Sequence, residues 1–325
     1  RPTRNVMPEP TGEHTSNQLA ESPAAHDALA GHPGGGDAVH AAAAAAIASM
    51  PAKRQMMAQR RTAARVAARD IAIDNAAVAD FVAVYGATPL AELAVVIAAY
   101  NEQDAIGQVI EEMPKTVCDL PVSTVVVTDG CRDRTAEVAR EHGAYVVELP
   151  VNRGQGATLR LGYRIAREHG ASIIATTDAD GQYHLEELPD LVRPILDGTA
   201  DFVTGSRKLG YYEITDTMRK HGVHVFARVV SLLTGQHITD TSFGMRAMRT
   251  EVTEQVTLLQ PQYQSSELLI GAMSHGFRVL EVPGTFRQRA AGASKKGNNV
   301  VYGARYGRVV LGTWLRERRA ARAHR

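Results

Sequence analysis

Short apolar runs alternate with amphipathic stretches through the middle of this 325-residue chain, and this alternation constrains the fold more than any other feature. The runs are typical of buried strands, and the stretches between them are typical of helices. The predicted strands lie at 93–98, 124–127, 144–149, 172–177 and 202–204. The predicted helices lie at 104–113, 133–142, 157–169 and 186–196. Alternating strands and helices form βαβ units, so the sequence predicts an α/β fold with a mainly parallel sheet flanked by helices.

The segments on either side of this region differ from it in composition. Residues 1–37 are rich in Gly, Pro, Ser and His without an apolar period, which is typical of disorder. Residues 38–90 are rich in Ala, Arg, Met and Gln, and they predict an additional N-terminal helical region. Segment 298–325 carries aromatic and aliphatic residues at helical spacing with arginines between them, so it predicts a basic amphipathic helix. Further elements are predicted as helices at 218–233 and 265–274 and a strand near 243–248.

Bulk composition limits the class of protein. Lysine plus arginine number 36 and aspartate plus glutamate 35, so no overall charge demands a polyanionic partner. Two cysteines, Cys118 and Cys131, are too few for a disulfide framework and fit a reducing compartment. No apolar stretch approaches the roughly 20 residues of a membrane span. Positive charge is concentrated near the end of the chain, where 285–325 holds eleven lysines and arginines against one acid, Glu317.

Polar or glycine-rich turns follow four consecutive predicted strands. Because the carboxyl ends of parallel strands meet at one edge of a sheet, we expect the four turns to form one ligand site. Their sequences are Ala99-Tyr100-Asn101-Glu102, Asp129-Gly130-Cys131-Arg132-Asp133, Asn152-Arg153-Gly154-Gln155-Gly156 and Asp178-Ala179-Asp180-Gly181-Gln182. Any one of these turns alone is more often a solvated loop, but their order and even spacing favour a functional site.

Two of the turns suggest specific chemistry. Asp178, Asp180 and Gln182 supply carboxylate and amide oxygens, which are hard ligands for a divalent cation such as Mg²⁺ or Mn²⁺. Such a cation suits a nucleotide diphosphate. Gly154 and Gly156 permit close backbone approach and open a helix whose N–H groups suit bound phosphates. The alternative for these glycines is a tight turn needed only for packing.

The four turns together resemble the family 2 glycosyltransferases with the GT-A fold, and among them the polyprenyl-phosphate (dolichyl-phosphate) mannose and glucose synthases. The resemblance covers about 93–296, within a predicted GT-A domain at 91–297. It continues through Gly205-Ser206-Arg207, Asp240-Thr241-Ser242-Phe243-Gly244-Met245-Arg246, Glu267, Glu281-Val282-Pro283 and Arg289-Ala290-Ala291-Gly292-Ala293-Ser294-Lys295. It implies an inverting, metal-dependent transfer of a hexose from a UDP- or GDP-sugar to a polyprenyl phosphate.

The resemblance also implies roles for individual residues. The donor would be bound by Ala99, Tyr100, Asn101, Glu102, Asp129, Gly154, Gly156, Asp178 and Ala179. The catalytic residues would be Asp180, Asp240, Glu267 and Arg207. The metal would be held by Asp178, Asp180 and Gln182, and the acceptor phosphate by Arg289, Ser294 and Lys295. Two of these acids have structural alternatives, Asp240 as a cap or arginine partner and Glu267 as a partner of Arg246.

One position departs from the family pattern. Two adjacent acids usually precede the glycine of the second turn, and here Thr128 replaces the first of them. Asp129 remains and would accept a hydrogen bond from a base or ribose group. The effect of Thr128 on donor preference is open.

Other functions stay open from the sequence. The acceptor could instead be a soluble small molecule or a sugar phosphate, or the domain could bind a nucleotide or partner without catalysis. We expect no nucleic-acid partner, because the basic end has few aromatic residues for stacking. The basic helix either rests on an anionic membrane, with Trp314 and the valines in the headgroup layer, or docks on the main domain. We expect a cytoplasmic enzyme, and the sequence leaves open both a peripheral position on the inner face of the cell membrane and homo-oligomerisation.

Overall fold

The structure is a computed structural model that describes residues 52–212, 217–287 and 299–323. The chain divides into two compact units, 1–68 and 69–325. Helix α1 (Ala52–Tyr85) begins in the first unit and ends in the second. It is the described part of the predicted N-terminal helical region. The predicted disordered segment 1–37 lies outside the described residues.

An eight-stranded mixed sheet forms the centre of the second unit. Its strands are β1 (Leu93–Ala99), β2 (Thr116–Val117), β3 (Leu120–Asp129), β4 (Tyr145–Leu149), β5 (Ile173–Asp178), β6 (Phe202–Tyr212), β7 (Arg246–Arg249) and β8 (Val279–Phe286). The strand order is β2-β3-β1-β5-β7-β6-β8, and β4 also pairs with β3. Strands β4, β3, β1 and β5 are parallel neighbours, β8 is parallel to β6, and β2 and β7 run antiparallel to their neighbours. The predicted α/β fold with a mainly parallel sheet is confirmed.

Helices flank the sheet. They are α2 (Ile106–Glu111), α3 (Thr135–Glu141), α4 (Gln155–Glu168), α5 (Leu188–Leu196), α6 (Thr217–Thr234), α7 (Thr250–Gln255), α8 (Gln264–Ser274) and α9 (Asn299–Ala323), with a 3₁₀ turn at Leu185–Glu187. Each predicted helix has a counterpart, although α2 is shorter than predicted. The strand predicted near 243–248 begins only at Arg246, because the residues before it form a loop at the functional site.

Two hydrophobic clusters cover the two faces of the sheet. Successive residues of β1 alternate between them, so that Ala94 and Val96 belong to one and Val95 and Ile97 to the other. All four side chains are fully buried. A strand covered on both faces has no solvent-exposed face, which explains why β1 is continuously apolar.

The C-terminal helix α9 docks on the second unit. Tyr306, Val309 and Val310 are buried, and Val310 belongs to the hydrophobic cluster that also contains residues of α4 and α8. Trp314 donates its indole N–H to the carbonyl of Leu233 at 2.7 Å. The docked alternative is therefore correct for this helix, since Val309, Val310 and the indole of Trp314 contact the protein and not a headgroup layer. None of the helices in the described parts of the chain is long and apolar enough to cross a membrane.

The close packing of α4 on the sheet yields a test of the fold. A Cβ added at Gly162 would lie 2.3 Å from Val96 Cγ1 and 3.1 Å from Val127 Cγ2. We expect Gly162→Ala to lower the free energy of unfolding by about 1–3 kcal/mol, because the helix must move off the strands. The measurement is urea denaturation followed by circular dichroism.

Gly312 provides the matched control. It is an exposed residue of α9, and an added Cβ there meets no atom within 4 Å. Gly312→Ala should therefore leave the stability unchanged or raise it by up to about 1 kcal/mol, because alanine favours a helix over glycine. Equal stability of the two variants would contradict the packing described for α4.

Candidate active site

The register of the parallel strands brings their ends to one level. Ala98 of β1 lies opposite Val127 of β3 and Asp178 of β5. The turns after these strands therefore meet at one edge of the sheet, and a cavity of about 730 Å³ opens there. This is the edge at which the sequence predicts a ligand site.

Most of the predicted site residues line this cavity. They are Ala99, Tyr100, Glu102, Asp129, Gly154, Asp178, Ala179, Asp180, Gln182 and Arg207. The predicted residues that the structure describes away from the cavity wall are Asn101, Gly156, Asp240 and Glu267. The predicted acceptor residues Arg289, Ser294 and Lys295 lie outside the described residues.

Asp129 joins two of the four turns. Its Oδ1 accepts the backbone N–H of Arg153 and its Oδ2 the backbone N–H of Gly154, both at 2.8 Å. The carboxylate is almost fully buried, so these two bonds compensate for its loss of water. An ionised carboxylate has further lone pairs, and Asp129 still borders the cavity, where it can accept a third bond from a ligand.

The two predicted phosphate-loop glycines allow another part of the chain to approach. A Cβ at Gly156 would lie 1.9 Å from the carbonyl oxygen of Gln260, and one at Gly154 would lie 2.7 Å from that of Pro261. The N–H of Gly156 donates to Pro261 O at 3.0 Å. Gly156 is therefore needed for packing, and its N–H is already bonded within the protein. Gly154 packs in the same way but also borders the cavity.

Asn101 stabilises the turn after β1. It adopts a left-handed backbone conformation with φ of 51°, and its N–H donates to Cys131 Sγ at 3.3 Å. Its Oδ1 accepts the N–H of Arg132 at 2.9 Å. Asn101 thus links the first and second turns from behind the cavity wall.

Asp178, at the end of β5, is closely surrounded by residues of other segments. Its Oδ1 accepts a bond from Gln155 Nε2 at 3.1 Å. Gly244 lies so close that an added Cβ would be 3.0 Å from Asp178 Oδ2, and its N–H donates to Tyr183 Oη at 2.8 Å. Burial, reinforced by the charge of Asp178, raises the pKa of Tyr183 well above its ordinary value, so the phenol stays neutral.

Asp180 and Gln182 follow Asp178 along the cavity wall. Asp180 is buried apart from its cavity side, and its Oδ1 accepts the N–H of Gln182 at 3.2 Å. The side-chain amide of Gln182 donates to Arg287 O at 2.9 Å, which anchors the residue to the end of β8.

The residues at this wall fit a cation that arrives with a substrate. No group of three or more His, Cys, Asp or Glu that could hold a metal ion occurs within 52–212, 217–287 or 299–323. Mg²⁺ is nevertheless commonly bound by one or two carboxylates, with water and substrate phosphates completing its coordination. The pair Asp178 and Asp180 matches that arrangement.

Arg207 is fixed at the cavity by a buried acid. Its Nε and Nη2 donate to the two carboxylate oxygens of Asp240 at 2.6 and 2.8 Å, and Nη2 also donates to Ser242 Oγ. Burial alone would raise the pKa of Asp240, but the charge and hydrogen bonds of Arg207 hold it below its usual range. Glu281 completes the support by accepting the N–H groups of Thr239 and Asp240 at 2.8 Å. Asp240 is therefore the arginine partner considered above, and it orients a group that reaches the cavity.

Glu267 organises the protein interior. Its fully buried carboxylate accepts the N–H groups of Leu259 and Gln260 and a bond from Arg316 Nη1 at 2.7 Å. Arg246, its expected partner, instead donates to the carbonyls of Phe243 and Ser265. These contacts favour a structural role for Glu267, with a partner on α9.

One part of the cavity wall was not predicted from the sequence, namely the part that comes from α9 and from the turn before α8. Arg305 and Tyr306 of α9 and Tyr263 line the cavity. The Tyr263 and Tyr306 rings meet edge to face with centroids 5.4 Å apart, and Tyr306 Oη is 2.6 Å from Thr241 Oγ1. The helical spacing of aromatic residues and arginines in this segment was the available signal, but it did not reveal which face meets the site.

Comparisons with known proteins agree with this geometry. The sequence profile of glycosyl transferase family 2 matches residues 94–257. The chain belongs to this family. It is therefore a glycosyltransferase, and its curled mixed sheet flanked by helices is a GT-A-like α/β fold.

Two curated relatives match most of their own length. A dolichyl-phosphate hexose transferase from Haloferax volcanii is 34% identical over 232 residues, which cover 70% of this chain and 96% of that protein. A polyprenol monophosphomannose synthase from Mycolicibacterium smegmatis is 31% identical over 229 residues, which cover 65% and 84%. Among solved structures, glucosyl-3-phosphoglycerate synthase from Mycobacterium tuberculosis, in complex with Mn²⁺, UDP and phosphoglyceric acid, has a TM-score of 0.53 at 22% identity. It covers 69% of this chain and 78% of that one, and it supports the fold alone.

The pair of Arg207 and Asp240 yields a prediction about stability. Asp240→Ala should lower the free energy of unfolding at pH 7 by about 3–5 kcal/mol, because it leaves a largely buried guanidinium without its acid. Arg207→Met combined with Asp240→Leu should recover much of that loss. Denaturant unfolding of the wild type and both variants measures these differences.

The pair of Arg207 and Asp240 also predicts how the loss of unfolding free energy in Asp240→Ala depends on pH. Because the pKa of Asp240 is lowered in the folded protein, its stabilisation is fully present above the unfolded value of about 3.9 and is lost as the pH falls through the folded value. The difference between wild type and Asp240→Ala should therefore shrink below about pH 4. A difference that stays constant from pH 7 to pH 3 would contradict the charged pair.

Proposed function

We propose that this glycosyltransferase moves a hexose from a nucleoside diphosphate sugar to a polyprenyl phosphate, with a divalent cation and inversion of the anomeric centre. The observation that carries the proposal is the single cavity that collects Asp129, Asp178, Asp180 and Arg207 at the carboxyl edge of the sheet. The names of the two curated relatives support a polyprenyl phosphate acceptor. The remaining support comes from the charges and contacts of the cavity wall.

The donor nucleoside fits the side of the cavity formed by Tyr100, Asp129 and Asn152. Tyr100 offers an aromatic face, and Asp129 can accept a hydrogen bond from a base or ribose group. Gly154 lets Pro261 pack closely against this part of the wall, because any side chain there would collide with Pro261.

The diphosphate belongs beside Asp178 and Asp180. These carboxylates, with Gln182 in support, would hold a divalent cation that offsets the charge of the departing nucleoside diphosphate. Arg207 adds a positive charge whose orientation is fixed in advance by Asp240 and Ser242. A hydrogen-bond donor whose position is fixed before the reaction stabilises the developing negative charge without having to reorganise.

A phosphate acceptor fits the chemistry of this wall. A phosphate is already an anion near pH 7 and needs no general base to attack, unlike a hydroxyl acceptor. The segment expected to bind it, with Arg289, Ser294 and Lys295, joins β8 to α9. Phe286 at the end of β8 and Arg305 within α9, which lie on either side of that segment in sequence, both line the cavity. Arg305 is a second arginine at the wall, and we assign it to the acceptor phosphate as well.

We further propose a peripheral contact with an anionic membrane through the outer face of α9 and the end of α6. Leu311 and Leu315 of α9 are about half exposed, and Leu232 of α6 is 85% exposed. Arg308 and Arg318 are exposed on α9 near these leucines in sequence. Apolar side chains among arginines are suited to the boundary between headgroups and acyl chains, where a lipid phosphate is presented.

Replacing the carboxylate of Asp180 tests the metal-assisted transfer. We expect Asp180→Asn to reduce kcat by about 100-fold or more, because the leaving diphosphate loses its counter-charge. The assay follows labelled hexose from UDP- and GDP-sugars over a range of Mn²⁺ concentrations. Asp190→Asn, an exposed residue in the first turn of α5, is the control and should keep full activity. Full activity of Asp180→Asn would refute the assignment.

The identity of the acceptor is tested by partition of the labelled product. Incubation with polyprenyl phosphate should give label that extracts into butanol, and mild acid should release it as free sugar. Label that stays in the aqueous phase with a sugar phosphate acceptor would replace the lipid with a soluble acceptor.

A further inference from the structure

Helix α1 is linked to the third turn of the site by an ion pair that the proposed reaction does not use. We infer that Asp74 of α1 is a positioning residue, which acts through Arg153 to hold turn 152–156 in the conformation that binds the donor. This inference rests on the proposed function, which gives that turn to the nucleotide sugar. It also assigns a task to a segment that precedes the family match at 94–257.

The guanidinium of Arg153 is held from the side of α1. Its side chain is only 5% exposed, and Nη2 bonds to the carboxylate of Asp74, whose side chain is 16% exposed. Nη1 donates to the carbonyl of Asp70 at 3.1 Å and lies 3.8 Å from Asp70 Oδ1. The remaining guanidinium nitrogen, Nε, is buried without a hydrogen-bond partner. The acids of α1 therefore fix where this buried charge sits.

The backbone of Arg153 is held from the opposite side, at the cavity. Its N–H donates to Asp129, and the N–H of the next residue, Gly154, donates to the other oxygen of the same carboxylate. The residues on either side, Asn152 and Gly154, both line the cavity. A movement of the Arg153 side chain would thus be passed directly to two residues of the cavity wall.

The second half of α1 is fixed well enough to serve as an anchor. Ala77 and Phe81 are buried in the hydrophobic cluster that contains α4. Tyr85 Oη accepts the N–H of Val146 on β4 at 3.0 Å, and Asn75 Oδ1 accepts a bond from Arg164 of α4 at 2.7 Å. Asp74 lies at the start of this docked segment, directly before Asn75, so its carboxylate has a defined position relative to Arg153.

Removing the charge of Asp74 should act on donor affinity. Without the carboxylate, the guanidinium of Arg153 either stays buried, which lowers the stability of the fold, or turns toward water. A turn toward water would displace segment 152–156. In the proposed complex, turn 152–156 contacts the nucleotide sugar equally in the ground state and in the transition state. Loss of such uniform binding raises KM and leaves kcat unchanged. A residue with a purely structural role would lower stability without this separation.

The experiment uses the full chain and three variants of α1. Asp74→Asn removes the charge, Asp74→Glu keeps it, and Asp80→Asn is the control, since Asp80 is an exposed residue of the same helix. Steady-state transfer is measured against nucleotide sugar at saturating polyprenyl phosphate, and thermal unfolding is recorded in parallel. We expect Asp74→Asn to raise the donor KM about tenfold with kcat unchanged, Asp74→Glu to restore most of the affinity, and Asp80→Asn to match the wild type.

Amide hydrogen exchange of segment 152–156 provides a readout that needs no turnover. Exchange there should be faster in Asp74→Asn than in Asp80→Asn and the wild type. A donor KM and an exchange rate in Asp74→Asn equal to those of Asp80→Asn, with or without a loss of stability, would overturn the inference. If the wild type transfers no sugar, the proposed function fails, and faster exchange confined to Asp74→Asn would still support the link from α1 to the turn.

Discussion

Ala98 of β1 lies level with Val127 of β3 and Asp178 of β5, and the cavity depends on this register. Both faces of β1 are buried in apolar clusters, so a slip by one residue would exchange the side chains between the two clusters and misplace each turn. Hydrophobic packing thus sets the level at which the four polar turns end. The position of the polar turns is therefore a consequence of apolar packing within the sheet.

A second constraint is the use of buried or partly buried acids to hold distant pieces of backbone. Asp129 accepts two N–H groups from the turn after β4, Glu281 accepts two from the segment before β7, and Glu267 accepts two from the segment before α8. Each carboxylate replaces its lost hydration with bonds to a loop that has no regular partner of its own. Loops fixed in this way form a cavity wall that is held by contacts within the protein. Asp240 extends the same principle to a side chain, since it holds the guanidinium of Arg207 beside the acids of β5.

Local patterns in the sequence were enough to predict strands β1 and β3 to β7 and the turns that follow four of them, but they did not predict β2 or β8. They could not show why residue 156 must be a glycine, because the cause is its close packing against the carbonyl oxygen of Gln260, which is far away in sequence. They likewise could not distinguish an acid that faces a ligand from one that holds backbone, as Glu267 does with α9 and the segment before α8. The apolar spacing of α9 predicted a helix, yet only its contacts show that Val309 and Val310 face the protein and leave Leu311 outside. The partner of Asp74 was hidden for the same reason, since an ion pair across two elements leaves no local trace.

The most direct test of the central claim is a crystal structure of the protein with UDP or GDP and Mn²⁺, with the metal located by its anomalous scattering. The account predicts a manganese ion about 2.0–2.3 Å from a carboxylate oxygen of Asp180, bridging to the diphosphate, with the base beside Tyr100 and Asp129. A nucleotide bound elsewhere, or bound in the cavity with the manganese away from both aspartates, would contradict it.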